Sequence, residues 1–491
     1  MNDPNTASVV PPLRGYHAPT SNRRTLSTPA LRSWLRRTAV AGALAVGDVL
    51  VLLSVLRLSG FVLAEHSHFP TLGNNALGAA AVLIVIFWGA GLYTGVGPSP
   101  CERLRLRTLG VIAFCAIRAI WAVHTEMEVT AYLWFAVEAL LLVVAGHYVE
   151  LYVRGGLERQ GVLGAPTVIV GAGSAAQAVF KALANEPALG LRPIGFLHLP
   201  AEGNRSESPG QFRSISDRLN LAEPAEVAVV ASGSELGDLE NFFGMLTGPK
   251  RVLMVVVGEQ LRSLYAPMRT LGTGIGIEIS NAARLTRYRR GKRLLDLLIS
   301  LPAAILALPL VAILALAIKI TFRETALFTQ ERMGREGRIF RVLKIRSMYG
   351  DAEHRLAEHL ERHPEARAQW ERFFKLSNDP RILPIFGSVI RRWSLDELPQ
   401  LWNVLRGDMS LVGPRPFPEY HTIRFDEEFR LLRARVLPGL TGLWQVSSRS
   451  DGDLEIQKAQ DLFYIRNQCF WLDFYILLQT MPAVLTAKGA R

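Results

Sequence analysis

Cysteine is scarce in this chain of 491 residues, which contains only Cys101, Cys115 and Cys469. Their spacing fits no metal-ligand motif and implies no disulfide framework. The parts of the chain outside a membrane therefore suit a reducing cytoplasm. The layout of a secretory signal peptide is also missing, because the first apolar block starts late and runs long. Residues 1–30 are rich in Pro, Ser, Thr and Asn, and they predict a disordered tail.

Acidic residues are too few to balance the basic ones, since 43 Asp and Glu face 55 Lys and Arg and leave a formal charge of +12. Such an excess attracts nucleic acid, anionic lipid or an anionic substrate. The basic residues flank apolar segments, and no familiar nucleic-acid motif accompanies them. Nucleic acid is therefore not an expected partner, whereas membrane lipids and an anionic substrate are.

Hydrophobic residues make up 49% of the chain and gather in blocks. Four blocks, at 38–64, 74–96, 107–125 and 131–153, are each long enough to cross a bilayer of about 30 Å as a helix. Arginines precede the first block and follow the second and the fourth, whereas the other two connectors have no Lys or Arg. This alternation follows the positive-inside rule and predicts four transmembrane helices over 31–155, with both ends cytoplasmic.

Ionisable residues occur inside these apolar blocks at Asp48, Arg57, Arg118 and Glu138. Arg118 and Glu138 lie at similar distances from the same outer connector, so we expect them at one depth. Charges at that depth mark a transport path, a ligand pocket or a structural pair between helices. The structural pair is the favoured interpretation, because the outer connectors are too short to build a translocation apparatus.

A strand, a glycine turn and a helix follow one another in the middle of the chain. The apolar run 167–170 precedes Gly171-Ala-Gly-Ser-Ala-Ala176, as in a dinucleotide-binding unit. The next strand, 194–198, ends without an acidic residue that would hold a ribose. Further strands are predicted at 226–231 and 252–257. We predict a Rossmann-like cytoplasmic domain over 156–285, which either binds NAD or is a scaffold without a ligand; the scaffold is favoured.

The apolar segment 294–320 is long enough to cross a membrane, yet both of its flanks are strongly basic. Both flanks should therefore stay on the cytoplasmic side. Asp296, Pro302 and Pro309 interrupt the segment, and proline removes a helical hydrogen bond. We predict a re-entrant hairpin that turns near Pro309. The alternative, a fifth span, would put residues 320–491 outside the cell.

Two adjacent carboxylates, Asp396 and Glu397, follow the basic residue Arg391. Phosphoryl transfer uses a metal-binding carboxylate, cations for phosphate oxygens and a turn that approaches its ligand closely. A carboxylate pair alone is weak evidence, but the run 407–416 supplies a Gly-Pro-Arg-Pro turn with Arg415. The Ser-x-x-Glu spacing that ends at Glu397 predicts a capping box, so that a helix would start at Ser394.

The region from Lys292 onward resembles the bacterial sugar transferases, the monotopic polyprenyl-phosphate glycosyl-1-phosphate transferases. The matching residues are Lys292-Arg293…Asp296, Pro309, Gln330…Arg332…Gly334, Lys344…Arg346-Ser-Met348, Leu395-Asp-Glu-Leu-Pro-Gln400, Gly407-Asp-Met-Ser-Leu-Val-Gly-Pro-Arg-Pro416 and Gln445-Val…Arg449. With the preceding spans and domain, the chain looks like the long-form members of the undecaprenyl-phosphate galactose or glucose phosphotransferase type. It departs from the pattern at Leu308, where serine is usual, and at Ser448, where glycine is usual.

The resemblance implies transfer of a sugar-1-phosphate from a UDP-sugar to undecaprenyl phosphate, with release of UMP. It implies Mg²⁺ held by Asp396 and the diphosphate, and a phosphosugar ester on Asp396. Glu397 is expected either to tune the metal site or to orient the acceptor phosphate. Arginine suits phosphate because its guanidinium donates two parallel bonds. The expected substrate-binding residues are Lys344, Arg346, Arg391, Pro414, Arg415, Pro416, Gln445 and Arg449, with Pro309 at the helix break.

The fold class implied by these features is a membrane protein of mixed α and α/β structure. A disordered tail (1–30) precedes four transmembrane helices (31–155), a Rossmann-like domain (156–285) and a re-entrant helix with a mostly α catalytic domain (286–491). We expect the bacterial inner membrane as location, with the catalytic domain cytoplasmic. The apolar and aromatic stretch 470–478 suits the membrane interface. A homodimer is compatible with the additional domain and spans.

Two other functions compete with this one. A membrane-anchored, NAD-dependent nucleotide-sugar dehydratase would share four spans and a Rossmann-like domain. Its Tyr-x-x-x-Lys pair is matched by Tyr288 and Lys292, but these lie in a charged linker rather than beside a nucleotide site. A non-catalytic scaffold for glycan assembly would have a damaged carboxylate pair or lack Arg415, and both are intact.

Overall fold

The computed structural model describes most of the chain between residues 29 and 485, so the predicted tail over 1–30 lies almost wholly outside the described residues. Within that span the segments left undescribed are 64–75, 125–128, 171–172, 186–188, 198–225, 233–250, 257–267, 272–273, 278–281, 324, 374–375, 377–378, 385, 419–421 and 448–453.

Helices predominate among the described residues, and the strands form small sheets. The helices are α1 (Pro29–Leu63), α2 (Ala76–Gly89), α3 (Pro100–His124), α4 (Val129–Arg159), α5 (Gly173–Asn185), α6 (Ala282–Phe322), α7 (Ala352–Arg362), α8 (Pro364–Phe373), α9 (Phe386–Arg392), α10 (Gln400–Arg406), α11 (Glu427–Arg433), α12 (Leu443–Ser447), α13 (Leu454–Arg466) and α14 (Phe470–Leu485). The strands are β1 (Ala165–Val170), β2 (Leu191–Leu197), β3 (Val227–Ser232), β4 (Arg251–Val256), β5 (Met268–Leu271), β6 (Gly274–Ile277), β7 (Leu327–Met333), β8 (Ile339–Ile345), β9 (Ser410–Val412) and β10 (Gly439–Thr441).

Helices α1 to α4 pack around one apolar core. Leu52, Phe87, Leu104 and Leu142 each contribute a buried side chain to it, one from each helix. The outer faces of these helices are apolar as well, which is the pattern of helices surrounded by lipid. Exposed apolar residues on these faces include Val46, Leu50, Val85, Ile112, Ile120 and Leu140.

Three described helices are long and apolar enough to cross a membrane, over Ser33–Phe61, Trp134–Arg159 and Tyr288–Phe322. The first two belong to α1 and α4, and the third to α6. Helix α2 has 14 described residues, and α3 carries several arginines. These segments support the predicted membrane protein, while the number of four transmembrane helices stays a prediction.

Arg118 and Glu138 meet inside the bundle, as their positions predicted. The guanidinium of Arg118 pairs with Glu138 Oε2, and Ser59 Oγ donates to Glu138 Oε1 at 2.6 Å. Both charged side chains are buried, at 9% and 2% exposure. The contact ties α1, α3 and α4 together, which supports the interpretation as a structural pair.

A second group of buried charges lies in the same bundle. Arg107 pairs with Asp48 and donates to Glu150 at 3.1 Å. Arg103 and Arg154 approach the other oxygen of Glu150 at 2.8 and 2.9 Å. A buried charge is tolerated when it is paired in this way. Asp48 therefore joins α1 to α3, whereas Arg57, the remaining predicted residue of this kind, is exposed.

Replacing Arg118 by methionine is expected to lower the free energy of unfolding in detergent by about 3–5 kcal/mol, because it leaves Glu138 buried without its cation. The double replacement Arg118→Met with Glu138→Met should recover most of that loss. Ser59 stays satisfied in the double variant, since its hydroxyl proton can then be donated to Val55 O, 2.9 Å away. Thermal unfolding of the purified protein measures both effects. Equal stability of the single variant and the wild type would contradict this role.

The middle of the chain forms a four-stranded parallel sheet in the order β2-β1-β3-β4. All four strands coincide closely with the predicted ones, and α5 follows β1 as expected. Residues 171–172 of the glycine turn lie outside the described residues. The predicted parallel α/β arrangement is thus present, whereas a Rossmann-like domain without a ligand stays a prediction.

Helix α6 continues without interruption through Pro302 and Pro309. Pro309 therefore does not divide the segment into two helices, because the helix tolerates the loss of one backbone hydrogen bond there. A bend at Pro309 stays a prediction. Only 6% of the apolar stretch of α6 is buried within the protein. Arg293, near the start, donates to the carbonyls of Val404 and Leu405 at 2.6 and 2.7 Å. Near the other end, Phe322 packs edge-on against Phe386 at 5.9 Å.

Tyr288 and Lys292, which match a dehydrogenase pair in spacing, both bind the buried carboxylate of Asp473. Their distances to Asp473 Oδ2 are 2.6 and 2.7 Å. Tyr464 donates to the other oxygen at 2.8 Å and to Val412 O at 3.1 Å. Both residues lie on α6, so their placement in a linker is wrong. Through Asp473 they connect α6 to α14, and this structural role agrees with the exclusion of a dehydrogenase site.

Helix α14 joins the C-terminal part to the bundle. Tyr148 of α4 donates to Leu478 O at 2.6 Å, and the ring of His147 packs edge-on against Tyr475 at 6.0 Å. Leu472 and Ile476 are buried in the core of the C-terminal part. The stretch 470–478, which we expected at the membrane interface, thus lies largely between protein surfaces, because its apolar residues find protein partners on both sides.

Candidate active site

Asp396 and Glu397 lie on a short 3-10 helix, Leu395–Glu397, between α9 and α10. Ser394 precedes it in the left-handed conformation, with φ of 54°, and its side chain does not cap the helix. The predicted capping box is therefore wrong, since a cap residue needs extended rather than left-handed backbone. Pro399 directly precedes α10, as expected for a proline near a helix start.

Two cations converge on the carboxylates from distant parts of the chain. Lys344 of β8 approaches Glu397 Oε1 at 3.4 Å and Asp396 Oδ2 at 3.8 Å. Arg415 donates to Glu397 Oε1 at 2.7 Å. The carboxylate side chains are 14% and 15% exposed, and that of Arg415 is 34% exposed. The carboxylate pair is thus largely enclosed and has two cations within 4 Å of its oxygens.

Burial raises the pKa of the Asp396 carboxyl above its ordinary value, and the neighbouring Glu397 charge raises it further. Lys344 opposes this shift most strongly, and Arg391 and Arg415 oppose it less. Burial lowers the pKa of Arg391, which faces both Asp396 and Asp379. The protonation of Asp396 therefore depends on the cations around it.

Loss of the Lys344 charge is expected to move the acid limb of the kcat/KM profile to higher pH. Lys344 lowers the pKa of Asp396, so Lys344→Met raises that pKa further. If Asp396 acts as an ionised nucleophile, activity then disappears at a higher pH as the solution is acidified. Rates measured across the pH range test this, with Lys319→Met on the exposed part of α6 as a control. An unchanged acid limb in Lys344→Met would contradict this coupling.

The turn that carries Arg415 is fixed by close backbone packing. Strands β9 and β10 pair in parallel, which brings residues 410–412 of the motif 407–416 beside residues 439–441. A Cβ at Gly413 would lie 2.5 Å from Leu437 O, and one at Gly439 would lie 2.1 Å from Gly413 N. These glycines are required because no side chain fits between the two backbones.

The other predicted site residues lie in different surroundings. Arg346 donates to the backbone and the hydroxyl of Thr325 at 2.7 and 2.8 Å. Gln445 is buried and donates to Leu440 O at 3.2 Å. Pro414 and Pro416 are buried parts of the Arg415 turn, and Arg449 lies outside the described residues.

Asp379 and Arg381 belong to this region, although sequence reasoning did not assign them. Arg381 binds both oxygens of Asp379, at 2.8 and 2.7 Å, and stacks over Trp370 at 4.9 Å. Asp379 in turn interacts electrostatically with Arg391, whose pKa is lowered by burial and raised by the charges of both Asp396 and Asp379. The run Asn378-Asp-Pro-Arg could have drawn attention to these two residues. The sequence does not show, however, that Asp379 comes close to Arg391 in the fold.

The donors beside Asp396 fit Mg²⁺. This ion is usually held by one or two carboxylates together with substrate phosphates and water. Asp396 and Glu397 supply such carboxylates, and no group of three or more His, Cys, Asp or Glu that could hold a metal occurs among the described residues. The site thus suits a cation that arrives with a phosphate substrate better than a fully protein-held metal.

A cavity lies elsewhere, between the bundle and the parallel sheet. Its volume is about 230 Å³, and Arg36, Tyr93, Val96 and Glu226 are among its lining residues. It adjoins the amino ends of β1 and β3, opposite the strand ends where dinucleotides bind in such sheets. This cavity therefore gives no support to an NAD site.

Comparison with known proteins identifies relatives of both the C-terminal part and the longer chain. Residues 287–487 match the family described as bacterial sugar transferase. The undecaprenyl-phosphate galactose phosphotransferase of Salmonella typhimurium is 32% identical over 398 residues, 78% of this chain and 81% of that protein. The exopolysaccharide production protein ExoY of Sinorhizobium fredii is 38% identical over 200 residues, 40% of this chain and 87% of that protein. The UDP-glucose:undecaprenyl-phosphate glucose-1-phosphate transferase of Caulobacter vibrioides is 39% identical over 208 residues, 40% of this chain and 71% of that protein.

The fold, the site and these relatives together define a membrane-associated transferase. The chain belongs to the bacterial sugar transferase family, and the match that covers most of its length shows a long form with additional N-terminal parts. The predictions that the chain is an enzyme and that it belongs to this family are confirmed.

Proposed function

We propose that this protein transfers a sugar-1-phosphate from a UDP-sugar to undecaprenyl phosphate, which gives the undecaprenyl-diphosphate sugar and UMP. The observation that carries the proposal is the carboxylate pair of Asp396 and Glu397 within reach of Lys344 and Arg415. The names of the relatives support the substrates, since they describe transfer to undecaprenyl phosphate from UDP-glucose or with galactose. The reaction would begin exopolysaccharide, capsule or O-antigen synthesis.

The first step is attack by a carboxylate oxygen of Asp396 on the sugar-bearing phosphorus of the UDP-sugar. An oxygen–phosphorus bond forms, the bond to the bridging oxygen breaks, and UMP leaves with that oxygen. In the second step an oxygen of undecaprenyl phosphate attacks the same phosphorus and releases the Asp396 carboxylate. Covalent catalysis of this kind divides one difficult transfer into two easier ones.

The surrounding residues stabilise charge during both steps. Arg415 and Arg391 bind phosphate oxygens, since guanidinium donates to phosphate bidentately. Lys344 keeps the pKa of Asp396 from rising further, so that more of it is ionised. Glu397 holds Arg415 through their 2.7 Å bond and so orients it. Bound Mg²⁺, held by Asp396 and the diphosphate, would neutralise charge on the departing UMP.

We further propose that α6 enters and leaves the inner membrane on the cytoplasmic side, and that four spans precede it. The contacts of Arg293 and Phe322 support this, because both ends of α6 are attached to the C-terminal part. The basic residues on both flanks of α6 also favour the cytoplasmic side for both of its ends. This arrangement keeps the carboxylates at the depth of the lipid phosphate and on the side where nucleotide sugars are made.

A cysteine at Gly350 is expected to be shielded from an impermeant thiol reagent in intact cells and labelled after lysis. The natural cysteines at 101, 115 and 469 should first be replaced. A cysteine in an outer connector of the bundle, at Ser67, serves as the positive control. Labelling of Gly350→Cys in intact cells would mean a fifth span and would contradict the one-sided arrangement.

Release of UMP from a panel of UDP-sugars, with and without undecaprenyl phosphate, tests the proposed reaction. UMP should accumulate over many turnovers only when the acceptor lipid is present, and one sugar should exceed the others. A dehydratase would instead change the sugar and leave the UDP-sugar bond intact, and a scaffold would release nothing. Neither the structure nor the relatives support the dehydratase.

The parallel sheet acts in this proposal as a scaffold, and a dimer is compatible with it.

A further inference from the structure

Arg433 lies behind the turn that carries Arg415. It stands at the end of α11, and its Nη2 donates to the backbone carbonyl of Arg415. Its side chain is only 13% exposed. Eighteen residues separate the two arginines, so the contact comes from the fold rather than from local chain geometry.

The guanidinium of Arg433 is fixed on its other sides as well. Nη1 forms an ion pair with the buried Asp461 on α13, 3.2 Å from its Oδ2, although the two atoms lack the geometry of a hydrogen bond. The rings of Phe417 and Phe429 lie 4.3 and 5.7 Å from the guanidinium carbon. A planar guanidinium can stack on rings while one of its edges donates to a carbonyl, a combination that the compact ammonium of lysine does not reproduce. The site therefore uses the shape of arginine as well as its charge.

The next carbonyl along the turn is held in the same manner. Arg332 of β7 donates to Pro416 O at 3.2 Å and to Gln330 Oε1 at 2.6 Å. Two consecutive carbonyls, those of Arg415 and Pro416, thus accept bonds from arginines of other elements. The side chain of Arg415 meanwhile reaches Glu397 at 2.7 Å.

We propose that Arg433, held by Asp461, is a positioning residue that sets where the Arg415 guanidinium lies beside Glu397 and the phosphate groups of the substrate. The inference rests on the proposed function, since it assigns Arg433 an effect on phosphate binding and transfer. Arg433 acts through Arg415 and does not touch substrate. A small misplacement of a binding group is enough to slow an enzyme by about 10²-fold.

A pair of single variants and their combination test this role. Arg433→Lys keeps the charge but loses the fork, and is expected to lower kcat/KM about tenfold or more with little change in thermal stability. Arg415→Met is expected to lower it more. In the Arg415→Met background, Arg433→Lys should have no further effect, because the residue through which it acts has gone. Arg435→Lys, on the exposed surface nearby, is the matched control.

One outcome of these measurements would overturn the inference. If Arg433→Lys lowers kcat/KM by the same factor with and without Arg415, its role is general stability and the inference is overturned. Asp461→Asn provides a second way to disturb Arg433 and should show the same dependence on Arg415. Equilibrium binding of UMP to the same variants gives a readout that does not need transfer. Failure of the proposed function would appear separately, as transfer that survives Asp396→Asn.

Discussion

Asp396→Asn is expected to abolish transfer, with a loss of at least about 10⁴-fold in kcat, because an amide cannot form the phosphosugar ester. The two side chains have nearly the same volume, so the fold should be unaffected. The substitution would also remove the ionised oxygen expected to hold Mg²⁺ with the diphosphate. UMP release in the presence of undecaprenyl phosphate measures the loss.

Glu397→Gln is the matched control for this variant. It makes the same chemical change one residue away, and it weakens the contacts with Lys344 and Arg415 without removing the proposed nucleophile. We expect a slower enzyme that still forms the ester. If Asp396→Asn transferred sugar phosphate as fast as Glu397→Gln, Asp396 would not be the nucleophile.

Arg415→Met is expected to lower kcat/KM by about 10²–10³-fold, the usual effect of removing one preorganised donor from a transition state. Arg415 contacts Glu397 at 2.7 Å and is only partly exposed, so its charge acts in a sheltered environment. Its backbone is fixed by the packing of Gly413 against Gly439. Methionine keeps most of the volume and removes the charge.

Steady-state kinetics of UMP release provide the measurement, and Arg406→Met the comparison. Arg406 is 63% exposed and pairs with Asp408 at 3.5 Å, so its replacement should change kcat/KM very little. A loss of similar size in both variants would mean that overall positive charge, rather than Arg415 itself, is responsible.

Local patterns were sufficient where the chain forms regular structure from neighbouring residues. Apolar blocks predicted the helices of the bundle, and the strand pattern predicted β1 to β4. The depth of Arg118 and Glu138 predicted their contact, because helical rise converts sequence distance into depth. The carboxylate pair and Arg415 were recognisable because motif residues stand close together in the sequence.

Local patterns failed where tertiary contacts decide the conformation. The spacing around Ser394 suggested a capping box, but a tight turn between α9 and α10 imposes left-handed backbone there. The contact of Arg346 with Thr325 also comes from the fold, and the role of Arg346 in substrate binding stays a prediction. The role of Arg433 depends on side chains from other helices. No sequence spacing reports such contacts.

The most direct test of the central claim is the mass of the enzyme after mixing with a UDP-sugar in the absence of acceptor lipid. The account predicts a sugar-phosphate adduct on the peptide that contains Asp396, formed together with one equivalent of UMP. Adding undecaprenyl phosphate should discharge the adduct and yield the lipid-linked sugar. An active enzyme that carries no adduct during turnover, or carries it on a different residue, would contradict the account.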